Sequence, residues 1–320
     1  MMDSRHLVDP ELLAALDVAP NFELSEAMLP MLREMEFPAP PPVEDGVVIT
    51  NRVIPGPADA PDLRVVIYTP PGLAPNAPVL LHIHGGGYVI GSPEVMGSYA
   101  RAYAVAAECI VVSTSYRLSP ETYWPGPVED VYAALLWTHA NAVSLGGDPT
   151  RLAIGGESAG GGLTAALALW SRDHGGPKLC FQLLVYPMLD DRPPADSYAG
   201  QYVWTRPNSV YGWSAFLGQP AGTDAVPAKA VPARVADLAG LPPAYIATGA
   251  LDLFVEENIE YARRLIAIGV PTELRVVPGA WHGFNGFVPD AAISKSFNAD
   301  IHRALKAAFD RAASAATPAN

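Results

Sequence analysis

The chain has 320 residues, half of them hydrophobic and 17% charged, so it can bury a substantial core and does not read as disordered. Its formal net charge of −13 argues against nucleic acid as a partner and against stable association with an anionic membrane. No run approaches the ~18 apolar residues of a membrane helix, and the start M-M-D-S-R-H-L lacks the basic-then-apolar pattern of a signal peptide, so a cytoplasmic protein is expected.

In chain order, Asp9-Pro10-Glu11 opens a helix, with Asp as N-cap and Pro at the first helical position, and Leu12, Leu13 and Leu16 share one face. A second helical stretch carries Met28, Leu32 and Met35, with Pro30 at its start or as a kink. Residues 38–42, P-A-P-P-P, read as a stiff linker. Apolar, β-branched runs follow at 47–53, 65–68, 79–83, 110–114, 152–154, 181–186, 245–248 and 273–277. A proline- and glycine-rich turn joins the first two as a hairpin. Between the later runs the pattern turns helical, at 128–143, 163–170 and 256–268, the last closed by Gly269 as a C-cap. Ile293, Phe297, Ile301 and Leu305 then recur every fourth residue, the single buried stripe of a final helix. Strands that are apolar throughout and alternate with helices imply an α/β fold, here a mostly parallel eight-stranded sheet covered on both faces.

From 189 to 241 the strand–helix rhythm stops, and aromatic residues and prolines take over. A long insertion of this kind covers a site more often than not. The expected organisation is an N-terminal helical cap segment (1–45), a first part of the main domain (46–188), a cap insertion (189–241) and a second part of the main domain (242–320). Cys109 and Cys180 each border an apolar run and read as buried free thiols, since no metal-ligand spacing surrounds them.

Two segments carry the chemistry. Residues 156–161 read G-E-S-A-G-G, between the short strand at 152–154 and an alanine- and leucine-rich helix. A serine nucleophile needs such a tight corner, with glycines beside it, so that its hydroxyl stands clear of the backbone. Residues 80–88 read L-L-H-I-H-G-G-G-Y. Three consecutive glycines let backbone amides approach a substrate oxygen, and the expected donors to an oxyanion are Gly85, Gly86 and Ala159. His84 reads as an organiser of this loop and His82 as a core residue.

The base should follow the serine. Of His174, His282 and His302, only His282 sits in a loop directly after a strand, where ligands meet an open α/β sheet. The acid should close another strand, which selects Asp252; Glu256 and Glu257 are alternatives, each better placed on the first turn of the next helix. This is Ser-His-acid acyl-transfer chemistry, which needs neither metal nor organic cofactor.

The segments H84-G-G-G-Y88, S115-Y-R-L-S-P-E121, V128-E-D130, G147-D-P-T-R151, G156-E-S-A-G-G161 and W281-H-G-F284 span most of the chain. It resembles the hormone-sensitive-lipase-like esterases of the α/β-hydrolase superfamily. The resemblance implies a carboxylesterase acting on a small ester, with short to medium acyl or aryl chains, beneath a two-part cap. It also implies a homodimer paired through the edge of the last strand. Tyr88, Trp204, Tyr211, Trp213, Phe216, Leu253 and Phe284 are candidates for an apolar substrate pocket. The sequence departs from the family at Glu157, where Asp or Thr is usual, and at Leu253, where Pro commonly follows the acid. Arg117 and Glu121 are expected in structural ion pairs, with Glu129 or Asp130 as partners. An amidase or deacetylase would use the same residues, and a receptor on this fold would lack the base that His282 supplies.

Overall fold

The structure is a computed structural model that describes residues 3–18, 23–34, 45–194 and 197–316. Residues 38–42 and Met35, read above as linker and helix face, lie outside the described residues.

Each of the eight apolar runs forms a strand: β1 (Val48–Ile54), β2 (Leu63–Thr69), β3 (Ala77–Ile83), β4 (Ile110–Thr114), β5 (Gly147–Glu157), β6 (Phe181–Val185), β7 (Ala244–Gly249) and β8 (Thr272–Val277). They make one sheet in the order β1-β2-β4-β3-β5-β6-β7-β8. β1/β2 and β2/β4 pair antiparallel; the pairs from β4/β3 through β7/β8 are parallel. Alternate side chains along a strand point to opposite faces, and two apolar clusters result. Val79, Leu81, Ile83, Ile154, Leu184 and Ile246 face one side, and Leu80, Val111, Ala153, Leu183 and Ala247 the other. β1 departs from the expectation of double coverage. It is exposed along all but its last residue, because an edge strand meets the core on one flank only.

Nine α-helical segments are described: α1 (Leu13–Leu16), α2 (Leu29–Glu34), α3 (Gly97–Ala107), α4 (Gly126–Asn141), α5 (Ala159–Asp173), α6 (Arg206–Leu217), α7 (Val255–Ala267), α8 (Phe284–Phe287) and α9 (Ala292–Ala316). α4, α5 and α7 fill the first face through Val131, Leu135, Leu163, Leu167, Tyr261 and Leu265. α3 and α9 fill the second through Ala100, Tyr103, Ala104, Phe297, Ile301, Leu305 and Phe309. Fully burying side chains such as Phe297 and Leu305 contributes about 1.5–3 kcal/mol each. The sequence pattern missed α3, because its nine-residue run of Ala, Val, Arg and Tyr offers little contrast between faces.

The N-terminal segment divides between the two faces. Val8 and Leu12 join the α3/α9 cluster, while Leu24, Leu29 and Leu32 join the opposite one. Asp9 caps its turn as expected, its side chain accepting from the Glu11 amide. Residues 189–241 hold α6 and two 3-10 turns, and no strand among the described residues. No described helix is long and apolar enough to cross a membrane.

Candidate active site

The parallel strands deliver three functional side chains to one end of the sheet. β5 ends at Glu157 and α5 begins at Ala159, so Ser158 alone turns the corner, with φ 56° and ψ −121°. Positive φ strains a residue that carries a Cβ, and the surrounding packing holds it. The Ser158 amide donates to the Val185 carbonyl at 2.9 Å. The flanking glycines are obligatory on steric grounds. A Cβ on Gly156 would lie 2.4 Å from the Ile83 oxygen, and one on Gly160 would lie 2.1 Å from that same oxygen.

His282 follows β8 and Asp252 follows β7, and two backbone bonds tie these loops together. Ala250 N–H donates to the Val277 carbonyl at 2.8 Å, and Leu251 N–H to the Ala280 carbonyl at 2.9 Å. The side chains then form a relay. His282 Nε2 lies 2.9 Å from Ser158 Oγ, and His282 Nδ1 lies 2.8 Å from Asp252 Oδ2. The other carboxylate oxygen, Oδ1, accepts from the Phe254 amide at 2.9 Å, which fixes its rotation. Asp252 is fully buried, while Ser158 and His282 each retain 6% exposure, enough for a ligand to touch them. Glu256 and Glu257 both lie on the first turn of α7, and Glu257 accepts the amides of Leu189 and Asp190 instead.

The glycine loop lies beside Ser158. A Cβ on Gly85 would stand 3.4 Å from the Ser158 Cβ and 2.9 Å from the Glu157 oxygen. The amides of Gly85, Gly86 and Ala159 donate no hydrogen bond among the described residues, whereas the Gly86 carbonyl accepts from Val89 and Ile90. Gly86 has φ 119°, and a Cβ there would meet the Ile90 oxygen at 2.1 Å. His84 organises the loop. Its Nδ1 lies 2.8 Å from the Gly85 oxygen, and its ring stacks on Tyr116 at 4.3 Å. Burial pushes the His84 ring down to about 4, so Nδ1–H donates from a neutral imidazole.

Of the pocket candidates, Trp204 makes a ring contact with the relay, its centroid 6.3 Å from that of His282. Its distal edge covers Gly87, where a Cβ would come within 2.1 Å. Leu253 sits under Gly200 of the insertion. Tyr88, Trp213 and Phe216 pack on one another, with Tyr88 stacked on Phe216 at 4.3 Å. They fasten α6 to the glycine loop. Tyr211 is half-buried in α6, and Phe284 packs into the core against Phe297 at 4.9 Å.

Two neighbours of the imidazole were not anticipated. Tyr186 and Phe254 meet the His282 ring edge-on at 4.9 and 5.1 Å. Tyr186 has φ 35° and reads in sequence as an ordinary strand end, so only the fold shows its position. The ion pairs also rearrange. Arg117 pairs with buried Asp130 as expected, whereas Glu121 pairs with Arg33 of α2. Among the described residues no three His, Cys, Asp or Glu side chains gather as a metal site, and both cysteines are free.

A family model for the α/β-hydrolase fold matches residues 80–286. The carboxylesterase NlhH of Mycobacterium tuberculosis is 37% identical over 89% of this chain and 92% of its own. The esterase LipI of the same organism is 36% identical over 89% and 90%. Among solved structures, a bacterial heroin esterase superposes with a TM-score of 0.86 at 38% identity, covering 96% of this chain and 99% of that one.

Proposed function

The chain belongs to the α/β-hydrolase-fold family, in its hormone-sensitive-lipase-like branch, and we propose that it is a serine carboxylesterase. The observation that carries this reading is the Ser158–His282–Asp252 relay, at 2.9 and 2.8 Å, beside three backbone amides that donate no hydrogen bond among the described residues. Ser158 Oγ attacks the ester carbonyl carbon while His282 Nε2 takes its proton. The amides of Gly85, Gly86 and Ala159 receive the oxyanion, and each such donor is worth roughly 3–4 kcal/mol in the transition state. Asp252 holds the ring with Nε2 toward the serine and stabilises the imidazolium. His282 then protonates the departing alkoxide, and the alcohol leaves an acyl-enzyme. Water gives a proton to His282 and attacks the acyl carbon, and the acid departs as the proton returns to Ser158.

Residues 1–45 and 189–241 act as the two parts of a cap. Trp204, seated over Gly87, narrows the space above the relay, which favours short to medium acyl or aryl esters. The names of the relatives support ester hydrolysis over amide hydrolysis. The test is a series of p-nitrophenyl esters from acetyl to palmitoyl, with wild type against Ser158→Ala. Activity should peak at short or medium chains and fall by a factor of about 10⁴ or more in the variant. Equal activity of the variant, or labelling by an organophosphate at a residue other than Ser158, overturns the mechanism. A maximum at palmitoyl overturns the chain-length assignment.

A further inference from the structure

Beneath the nucleophile lies a buried polar cluster that the relay does not use. β3 and β5 run in parallel register, His82 opposite Gly155 and Ile83 opposite Gly156. Past these rungs the chains part, β3 into the glycine loop and β5 into Ser158. A side-chain pair spans the gap. His82 Nε2 lies 2.9 Å from Glu157 Oε2. His82 Nδ1 lies 2.8 Å from Ser113 Oγ of β4, and Tyr103 of α3 donates to Glu157 Oε1 at 2.6 Å. His82, Glu157 and Ser113 are fully buried. Polar side chains so placed are retained at a cost in desolvation unless every one is bonded, and here both carboxylate oxygens and both ring nitrogens are. His82, read from sequence as a core residue, is therefore the centre of a three-strand polar brace.

The brace acts on the distance between the glycine loop and the nucleophile, to which the packing of Gly156 and Gly160 against the Ile83 oxygen also contributes. Asp252 and His282 come from β7 and β8, so the relay sets where the base stands relative to Ser158. It does not set where the amides of Gly85 and Gly86 stand. Those amides begin three residues after His82, and Ser158 begins one residue after Glu157. The Glu157 backbone oxygen already faces Gly85, with 2.9 Å to a Cβ placed there, so a small shift of either strand end moves donor and nucleophile apart. We propose that Glu157 and His82 are positioning residues, whose bond holds the glycine-loop amides at the reach required by a tetrahedral oxyanion on Ser158. The proposal rests on the esterase reading above.

The experiment measures kcat and KM for a p-nitrophenyl ester with wild type, Ser158→Ala, Glu157→Ala, Glu157→Gln and Tyr103→Phe. Each rate is expressed per site titrated by a fluorescent organophosphate, so misfolded protein does not count; Ser158→Ala, which has no serine to label, is expressed per mole of folded protein. Glu157→Ala should lower kcat about 100-fold with KM within about threefold, the signature of lost transition-state alignment. Glu157→Gln keeps length and hydrogen bonding, because the His82 ring can present its other tautomer, and should recover kcat to within about fivefold of wild type. Tyr103→Phe, which deletes one bond and leaves the core filled, should fall between them. Unchanged kcat per site in Glu157→Ala overturns the proposal, and so does a Glu157→Gln variant as slow as Glu157→Ala. Hydrolysis independent of Ser158 would instead defeat the esterase reading itself.

Discussion

The strand ends and the cap are held in place by different means. At the strand ends the backbone itself is the constraint: Gly156, Gly160 and Gly86 each have a carbonyl oxygen within 2.4 Å of where a Cβ would go. The cap is held by apolar packing of residues such as Trp213 and Phe216, by a few backbone bonds such as Trp124 N–H to the Phe216 carbonyl at 2.7 Å, and by polar side-chain tethers. Arg33 of α2 donates to the Val89 and Ser119 carbonyls, each at 2.8 Å, and pairs with Glu121. Asn208 of α6 accepts the Leu24 amide at 2.7 Å, and Ser4 donates to Gln201 at 3.0 Å. A backbone constraint fails all at once, whereas a side-chain tether can be released while the rest stays folded. On the proposed reading, the strand ends govern the chemical step and the cap governs what reaches it.

The sharpest way to break this contrast is Gly86→Ala. The new methyl group must displace the Ile90 carbonyl at 2.1 Å, turning away the amide proposed as an oxyanion donor. The expected result is a loss of kcat of about 10²–10³ with KM little changed and the far-UV circular dichroism of wild type. A loss confined to KM would place the glycine loop on the cap's side of the comparison.

Next comes a pH effect that belongs to the strand ends alone. The folded His84 ring stays neutral down to about 4, against 6.5 for the free side chain. Between those values the unfolded chain binds the extra proton, so stability falls as pH falls through that window, by about 3 kcal/mol in all. Urea unfolding of wild type and His84→Phe at pH 8, 6, 5 and 4 should show the two converging as pH drops. Parallel curves would remove His84 as the source.

The smallest effect is expected in the cap. Arg33→Ala removes two bonds to backbone carbonyls and an ion pair, and should raise KM about tenfold with kcat per titrated site unchanged. The exposed Glu121 partner contributes little of this, so 0.5 M salt should move wild-type KM only slightly. A fall in kcat with constant KM would show that the cap also orders the chemistry.

Legibility in the sequence follows the same division. Gly156, Ser158, Gly160 and the run from Gly85 to Gly87 could be read because steric prohibition leaves glycine as the residue that fits, and such positions stand out as a string. The buried strands were legible from unbroken apolar runs. α3 was not, since alanines on every side hide which face is inside. Tyr186, Phe254 and the pairing of His82 with Glu157 left no local mark. Tyr186 and His282 are 96 residues apart and His82 and Glu157 75, and tyrosine, histidine and glutamate occur throughout any chain.

The amino-acid sequence by itself determined the strand and helix periodicities, the strained serine corner and the loop of amides, because each is a local consequence of side-chain size and backbone freedom. Only the tertiary structure decided which carboxylate faces His282, that Trp204 rather than Phe284 stands over the site, and that Glu121 answers Arg33 rather than Arg117. Those choices depend on which strand ends become neighbours in the sheet, and that is set by the packing of whole faces, a sum over the core that no short segment contains.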